Sequence, residues 1–230
     1  MARFRSVLFD LDNTLLDFDR AERAALRAAL AQLGLPLSRS ALREYRRIND
    51  ELWALYRRGG IAQPVLAVER FRRLLEFLGG DHRRAPRLGR AYLDHLSERG
   101  DRLPGCRPTL ARLSARHGLG VVTNGIDRVQ RARLRAARLE QFFQVVVTSE
   151  GCGFAKPDPR ILGVALTALG HSPAQALFVG DDVGTDGGAA ARAGVAFCWM
   201  DRGRGHARGL RPPRRRVSRL LELPDLLSRT

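Results

Sequence analysis

Lysine is almost missing from this chain. Of its 40 basic residues one, Lys156, is a lysine and the others are arginines. Cysteine is scarce too: Cys106, Cys152 and Cys198 are odd in number, far apart and in no C-x-x-C pair. That argues against a disulfide framework and against a zinc site. The five histidines, His82, His95, His117, His171 and His206, show no metal-ligand spacing, and most read as solvated surface residues. No apolar run approaches the ~20 residues of a membrane span. The opening MARFRSVLFDLD has arginines before an apolar stretch, but Asp10 and Asp12 interrupt it too early for a secretion signal. The expected location is therefore the cytoplasm, with no membrane partner. Acidic residues are in the minority, and the net charge is +16. Such a balance suggests nucleic acid, yet the arginines are spread over almost every predicted helix with no aromatic interleaving. A coding bias toward arginine explains them equally well, and no specific nucleic-acid partner is expected.

What is present is ordinary globular material. Hydrophobic residues make up 44% and charged residues 28% of 230 positions, enough for one large domain or a core with a smaller insert. The stretch VLFDLDNTLLDF, residues 7–18, begins as a buried strand and ends in two acids one residue apart. Two such carboxylates repel, and burying either unpaired is costly. A cation or a proton-transfer task would offset that cost.

Four further apolar runs resemble the first: GLGVVTNG (118–125), FFQVVVTSE (142–150), ALFVGDD (176–182) and VAFCWM (195–200). Helix-like sequence separates them, including Pro108 to Arg116 and Arg128 to Leu139. The alternation predicts an α/β fold, a Rossmann-like parallel sheet of five main strands. Between the first strand and Pro104 the pattern changes. Leu26, Leu30 and Leu33 lie at helical spacing and stop at Gly34 and Pro36. Leu42, Tyr45, Ile48, Leu52 and Leu55 form a second stripe; Phe71, Leu74, Leu75 and Leu78 form a third, stopped by Gly79 and Gly80. Residues 17–103 are accordingly expected to be an inserted helical cap, and 1–16 with 104–230 the core. In the tail, RPPRRRVSRLLELPDLL (211–227) fits a short strand and a last helix.

Ligands of an open parallel sheet bind beyond the carboxyl ends of its strands. The first strand ends in DLDNT, the second in TNG and the fourth in GDDVGTD, while KPDP follows the third after a loop. One sheet edge would thus collect Asp10, Asp12, Thr123, Asn124, Lys156, Asp181, Asp182 and Asp186. Each has a bland reading alone: Asp10 and Asp12 as turn or N-cap residues, TNG as a turn, Lys156 as a surface residue. Their convergence carries more than any one of them.

These motifs resemble those of the haloacid dehalogenase (HAD) superfamily: D-x-D-x-T (Asp10, Asp12, Thr14), T/S-N (Thr123, Asn124), the lysine (Lys156) and G-D-x-x-x-x-D (Asp181, Asp186), in that order. The resemblance covers residues 6 to 200, and the helical insert is similar to the family's C1 cap. It implies a Mg²⁺-dependent phosphomonoester hydrolase. Asp10 would be the nucleophile, forming an aspartyl-phosphate. Mg²⁺ would be held by the Asp10 carboxylate, the Asp12 backbone carbonyl and Asp181. Lys156 would bridge nucleophile and phosphate, and Thr123 and Asn124 would hold the remaining phosphate oxygens. The barrier to be lowered is high, more than ~20 kcal/mol for phosphate monoesters. Asp12 would protonate the leaving alkoxide and later deprotonate water. Halide needs no such acid, so Asp12 favours phosphate chemistry over carbon–halogen cleavage. Thr14 would support the loop. Asp182 reads as an accessory ligand or a solvated loop acid, and Asp186 as a partner of the loop or of Lys156.

Within the cap, NDELWALYRRGGI (49–61) looks like a stretch of the bacterial pyrimidine-type 5′-nucleotidases, as do TNGIDRVQRARL and VVVTSEGCGFAKP. The implied substrate is a small phosphorylated metabolite, a nucleoside monophosphate. Trp53 and Tyr56 could stack on its base, a contact worth ~1–3 kcal/mol, or simply pack the cap. The alternatives are a phosphatase or mutase of a sugar phosphate or phosphoglycolate and, outside enzymes, a receiver-like phosphoacceptor or a basic nucleic-acid-binding protein. Monomer and homodimer are both open.

Overall fold

The computed structural model describes residues 4–203 and 213–228. His206, Arg211 and Pro212 lie outside the described residues. The chain forms two compact units, one comprising the chain up to Phe18 and from Gly100 onward, the other Asp19–Arg99.

The first unit is built on a parallel sheet of β1 (Ser6–Phe9), β2 (Gly118–Thr123), β3 (Val145–Thr148), β4 (Ala176–Gly180), β5 (Ala196–Met200) and β6 (Arg216–Val217). The order across it is β3-β2-β1-β4-β5-β6. Five strands are the main ones expected; the sixth, two residues paired in parallel with β5, is the short strand expected in the tail. The helices around them are α5 (Cys106–Ser114), α6 (Asp127–Ala136), α7 (Ser149–Cys152), α8 (Arg160–Leu169), α9 (Gly188–Ala193) and α10 (Leu223–Ser228), with α1–α4 in the second unit.

Strand β1 is central, and all four of its residues are buried. A strand covered on both faces must be apolar throughout rather than alternating, which SVLF satisfies. Side chains still divide by the period of two: Val7 and Phe9 enter a layer with Leu110, Val121 and Val179, while Leu8 enters the opposite layer with Val122, Phe178, Ile161 and Ala190. Each such full burial stabilises by ~1.5–3 kcal/mol. From β1 the chain builds outward to β2 and β3, then returns to lay β4 on the other side of β1. The order therefore reverses between β1 and β4, where the register pairs Phe9 with Val179. The next residues are Asp10 on one strand and Gly180, then Asp181, on the other.

The second unit holds α1 (Phe18–Ala31) from Asp19 onward, α2 (Arg39–Arg57), α3 (Gln63–Phe77) and α4 (Ala85–Ser97). Its core joins Tyr45, Phe71 and Tyr92, with ring centroids 5.2–5.8 Å apart. The buried Arg70 guanidinium lies 5.0 and 4.9 Å from the Phe71 and Tyr92 centroids and donates to Asn49 Oδ1 at 3.1 Å. The three expected stripes fall on α1, α2 and α3. Helix α4 is an addition: Pro86 at its start and Leu88, Tyr92 and Leu96 at four-residue spacing on its buried face carry it. Among the described residues no helix is long and apolar enough to cross a membrane.

Candidate active site

Four chain segments of the first unit meet at the carboxyl edge of the sheet. Asp10 leaves β1 with its amide donating to the Val179 carbonyl at 2.8 Å. The residue is 6% exposed. Lys156 is also buried; its ammonium lies 2.5 Å from Asp10 Oδ1, 2.8 Å from Asp186 Oδ1 and 3.1 Å from the Val122 carbonyl. Burial opposes charge on both partners. It drives Asp10 well above the ordinary carboxylate range, with Lys156 opposing and Asp186, Asp181 and Asp12 adding to the rise. Lys156 loses hydration as well, yet Asp10 and Asp186 hold it more basic than a free lysine. Asp186 is pushed up to about 6, by burial first and against the pull of Lys156.

Asp186 reaches this place because Gly180 has no side chain. A Cβ there would stand 2.3 Å from Asp186 Oδ2. The loop between them is a single π turn, Val183–Gly187, opened by Asp182, whose Oδ1 accepts from the amides of Gly184 (2.8 Å) and Thr185 (3.0 Å). Asp182 is thus a loop cap, and its own amide donates to Asp186 Oδ2 at 3.1 Å. Asp181 is held from behind by Trp199, whose indole N–H donates to its carbonyl at 2.9 Å.

Asn124 clasps the main chain of Lys156: its Oδ1 accepts from the Lys156 amide at 2.8 Å, and its Nδ2 donates to the Lys156 carbonyl at 2.9 Å. Thr123 Oγ1 accepts from Gln130 Nε2 (3.0 Å) and from the Gly125 amide (3.2 Å), so its own hydroxyl proton is directed elsewhere. Thr14 is fully buried, and among the described residues its hydroxyl meets no hydrogen-bond partner. Trp53 and Tyr56 lie on α2 of the second unit, half-buried and edge to face, with centroids 5.4 Å apart.

The side chain of Asp12 turns to a pair of residues that the motif reading passed over. Gln130 Nε2 donates to Asp12 Oδ2 at 2.8 Å, and Arg133 donates to Asp12 Oδ1. Both lie on α6, on the same stripe as the buried Val129 and Leu134. That periodicity was the available signal, a glutamine and an arginine at core positions.

One carboxylate oxygen from each of Asp10, Asp181 and Asp186 can be chosen so that all lie within 4.8 Å of one another. Three acids face one ammonium here, two of them with burial opposing their charge. A hard divalent cation with oxygen ligands, such as Mg²⁺, fits that excess. Both oxygens of Asp186 are already engaged, Oδ1 by Lys156 and Oδ2 by the Asp182 amide.

Comparison with known proteins identifies the family of the chain. Residues 7–200 match the family described as haloacid dehalogenase-like hydrolase. The chain belongs to the haloacid dehalogenase-like hydrolases. It is 32% identical to the HAD-hydrolase YfnB of Bacillus subtilis over 202 residues, covering 87% of this chain and 86% of that one. The crystal structure of YfnB bound to magnesium superposes with a TM-score of 0.90 over 98% of this chain and 99% of that one, at 29% identity. Pyrimidine 5′-nucleotidase YjjG of Escherichia coli is 30% identical over 223 residues, 96% of each chain. Phosphoserine phosphatase of Thermus thermophilus is 36% identical over 185 residues, 77% of this chain and 71% of that one. The HAD fold is thus an α/β sheet with an inserted helical unit, as its motifs implied, and the chain is an enzyme of the hydrolase class.

Proposed function

We propose that the protein is a Mg²⁺-dependent phosphomonoester hydrolase working through an aspartyl-phosphate, with nucleoside 5′-monophosphates as its substrates. The observation that carries this reading is the buried Asp10–Lys156–Asp186 chain at the point where strand order reverses. Lys156 engages Oδ1 of Asp10 and fixes the carboxylate for attack. The nucleophilic oxygen of Asp10 forms a bond to phosphorus as the phosphorus–ester bond breaks. Asp12 gives its proton to the departing alkoxide. Water then attacks the phosphoryl group, returns a proton to Asp12 and releases Asp10 with inorganic phosphate. Thr123, the Asn124 backbone and Lys156 neutralise and hold the phosphoryl oxygens. Mg²⁺ bound by Asp10, the Asp12 carbonyl and Asp181 would supply positive charge to a step in which one anion attacks another.

The nucleotide preference is supported by the cap stretch NDELWALYRRGGI and by the end-to-end similarity to YjjG, a pyrimidine 5′-nucleotidase. Trp53 and Tyr56, half-buried on α2, offer aromatic surface for a base. A small-metabolite phosphatase is the second reading, favoured by the identity to a phosphoserine phosphatase. Purified protein assayed with Mg²⁺ against a panel of phosphorylated metabolites separates the two. Pyrimidine nucleoside monophosphates should give the highest kcat/KM. If they ranked among the poorest substrates, the nucleotidase reading would fall.

A further inference from the structure

We infer that Gln130 and Arg133 are positioning residues for Asp12, a bracket on α6 that fixes the direction of the proton-transfer carboxylate. The inference deepens the reading above and rests on the acid–base role of Asp12.

An aspartate that serves both halves of a reaction has two rotatable bonds and must present one oxygen to the reacting centre. Left to solvent it would sample several rotamers, and misdirection by ~1 Å can cost about 100-fold in rate. Here both oxygens are fixed. Arg133 donates to Oδ1, and Gln130 Nε2 donates to Oδ2 at 2.8 Å. The bracket is itself braced, since Arg133 donates to Gln130 Oε1 at 2.9 Å, which settles which way the glutamine amide faces. Gln130 Nε2 also lies 3.0 Å from Thr123 Oγ1, joining Asp12 to a residue of the phosphate-binding set.

The cost of building this bracket argues for a use. The Arg133 side chain is 1% exposed, whereas its partner Asp12 is 28% exposed. In a chain of 39 arginines, most of them solvated, burying this one is expensive and a hydrophobic residue of similar size would serve packing as well. Its guanidinium also stacks 5.5 Å from the centre of the Phe18 ring, which limits its movement. Gly125 belongs to the same device: a Cβ at that position would stand 2.2 Å from Gln130 Nε2. The glycine of TNG therefore makes room for the glutamine, and a turn requirement alone does not account for it.

The test uses leaving groups. General acid catalysis matters for a poor leaving group and hardly at all for a good one. kcat/KM covers the steps through phosphorus–ester cleavage, so it isolates the half-reaction in which Asp12 gives its proton. The measured quantity is the ratio of kcat/KM for an alkyl ester, uridine 5′-monophosphate, to that for an aryl ester, 4-nitrophenyl phosphate. Gln130→Glu and Arg133→Met should each lower the alkyl value by about 100-fold, the lower end of what general acid catalysis contributes. The aryl value should fall by less than about 5-fold. Arg133→Lys, which keeps a donor toward Oδ1, should recover part of the alkyl rate. Asp12→Asn sets the limit of the effect. A variant whose two rates fall equally, with Asp12→Asn still discriminating, overturns the inference and leaves the acid–base role standing. If Asp12→Asn does not discriminate, the acid role fails and this inference falls with it. Should Arg133→Met not fold, Gln130→Glu, isosteric with the native side chain, decides the matter alone.

Discussion

At the scale of single residues, the site turns on one ammonium shared by two buried acids. Lys156 touches Asp10 and Asp186 at 2.5 and 2.8 Å, so removing either acid leaves the lysine with one partner and the Val122 carbonyl. Asp10→Asn should therefore fold. Because burial raises the Asp10 pKa, its ionised form is a cost to the native state, and a neutral amide relieves it. The metal-free variant is expected to melt at or above the wild-type temperature in calorimetry at neutral pH. Its turnover should nevertheless fall by at least about 10⁴-fold, as loss of a nucleophile does elsewhere. Gly180→Ala should do the opposite. Its Cβ meets Asp186 at contact distances of 2.3–2.6 Å, a clash of the kind that costs about 1–3 kcal/mol, so it should lose stability and activity together. The need for glycine at 180 could not be read from the motif, because it depends on where Asp186 folds back across the strand end.

Between elements, the buried contact most open to test joins α1 to α2. Glu22, 4% exposed, accepts from Arg46 Nε at 2.7 Å, while Arg46 is 40% exposed. Burial raises Glu22 to about 7, with Arg46 only partly opposing. Between pH 4.5 and 7 the folded chain thus holds a proton that the unfolded chain has released. Stability must fall as pH rises through that window and level off above it. The contribution is at most about 3 kcal/mol, from 1.36 kcal/mol per pKa unit. Glu22→Gln should flatten the slope, so the difference in denaturation midpoint between variant and wild type should widen from pH 5 to pH 8. Equal slopes would mean that Glu22 titrates normally. The elements themselves were legible to different degrees. Strands β1, β2, β4 and β5 stand out because a doubly covered strand is continuously apolar. Helix α4 was passed over although Leu88, Tyr92 and Leu96 mark it, since its stripe has a single residue per turn. The bracket on α6 was hidden for another reason: polar residues at core positions look like surface until the partner they serve is located. Asp12, separated from α6 by α1–α5 and β2, gives no local sign of it.

Across the whole molecule, charge is unevenly placed. A chain of net charge +16 gathers Asp10, Asp181 and Asp186 around one point at the sheet edge. That contrast lies beyond composition, which reports only the surplus of arginine; order along the chain and sheet topology were needed to see the acids converge. A site of this kind should couple metal binding to stability. A ligand that binds only the folded state stabilises it by about 2.7 kcal/mol at a hundredfold excess over its Kd. Mg²⁺ should therefore raise the melting temperature, and EDTA should reverse both the shift and the activity. Protons compete for the same oxygens. Asp186 titrates near 6 and Asp10 is raised well above the usual carboxylate range, so the Mg²⁺-induced shift should be large at pH 8 and shrink toward pH 5. Asp181→Asn should lose most of the shift at every pH. Asp12→Asn should keep it, because the Asp12 side chain is committed to Gln130 and Arg133, and only its main-chain carbonyl is assigned to the metal. Loss of the Mg²⁺ shift in Asp12→Asn would place that carboxylate on the ion and would require the bracket on α6 to open when metal binds.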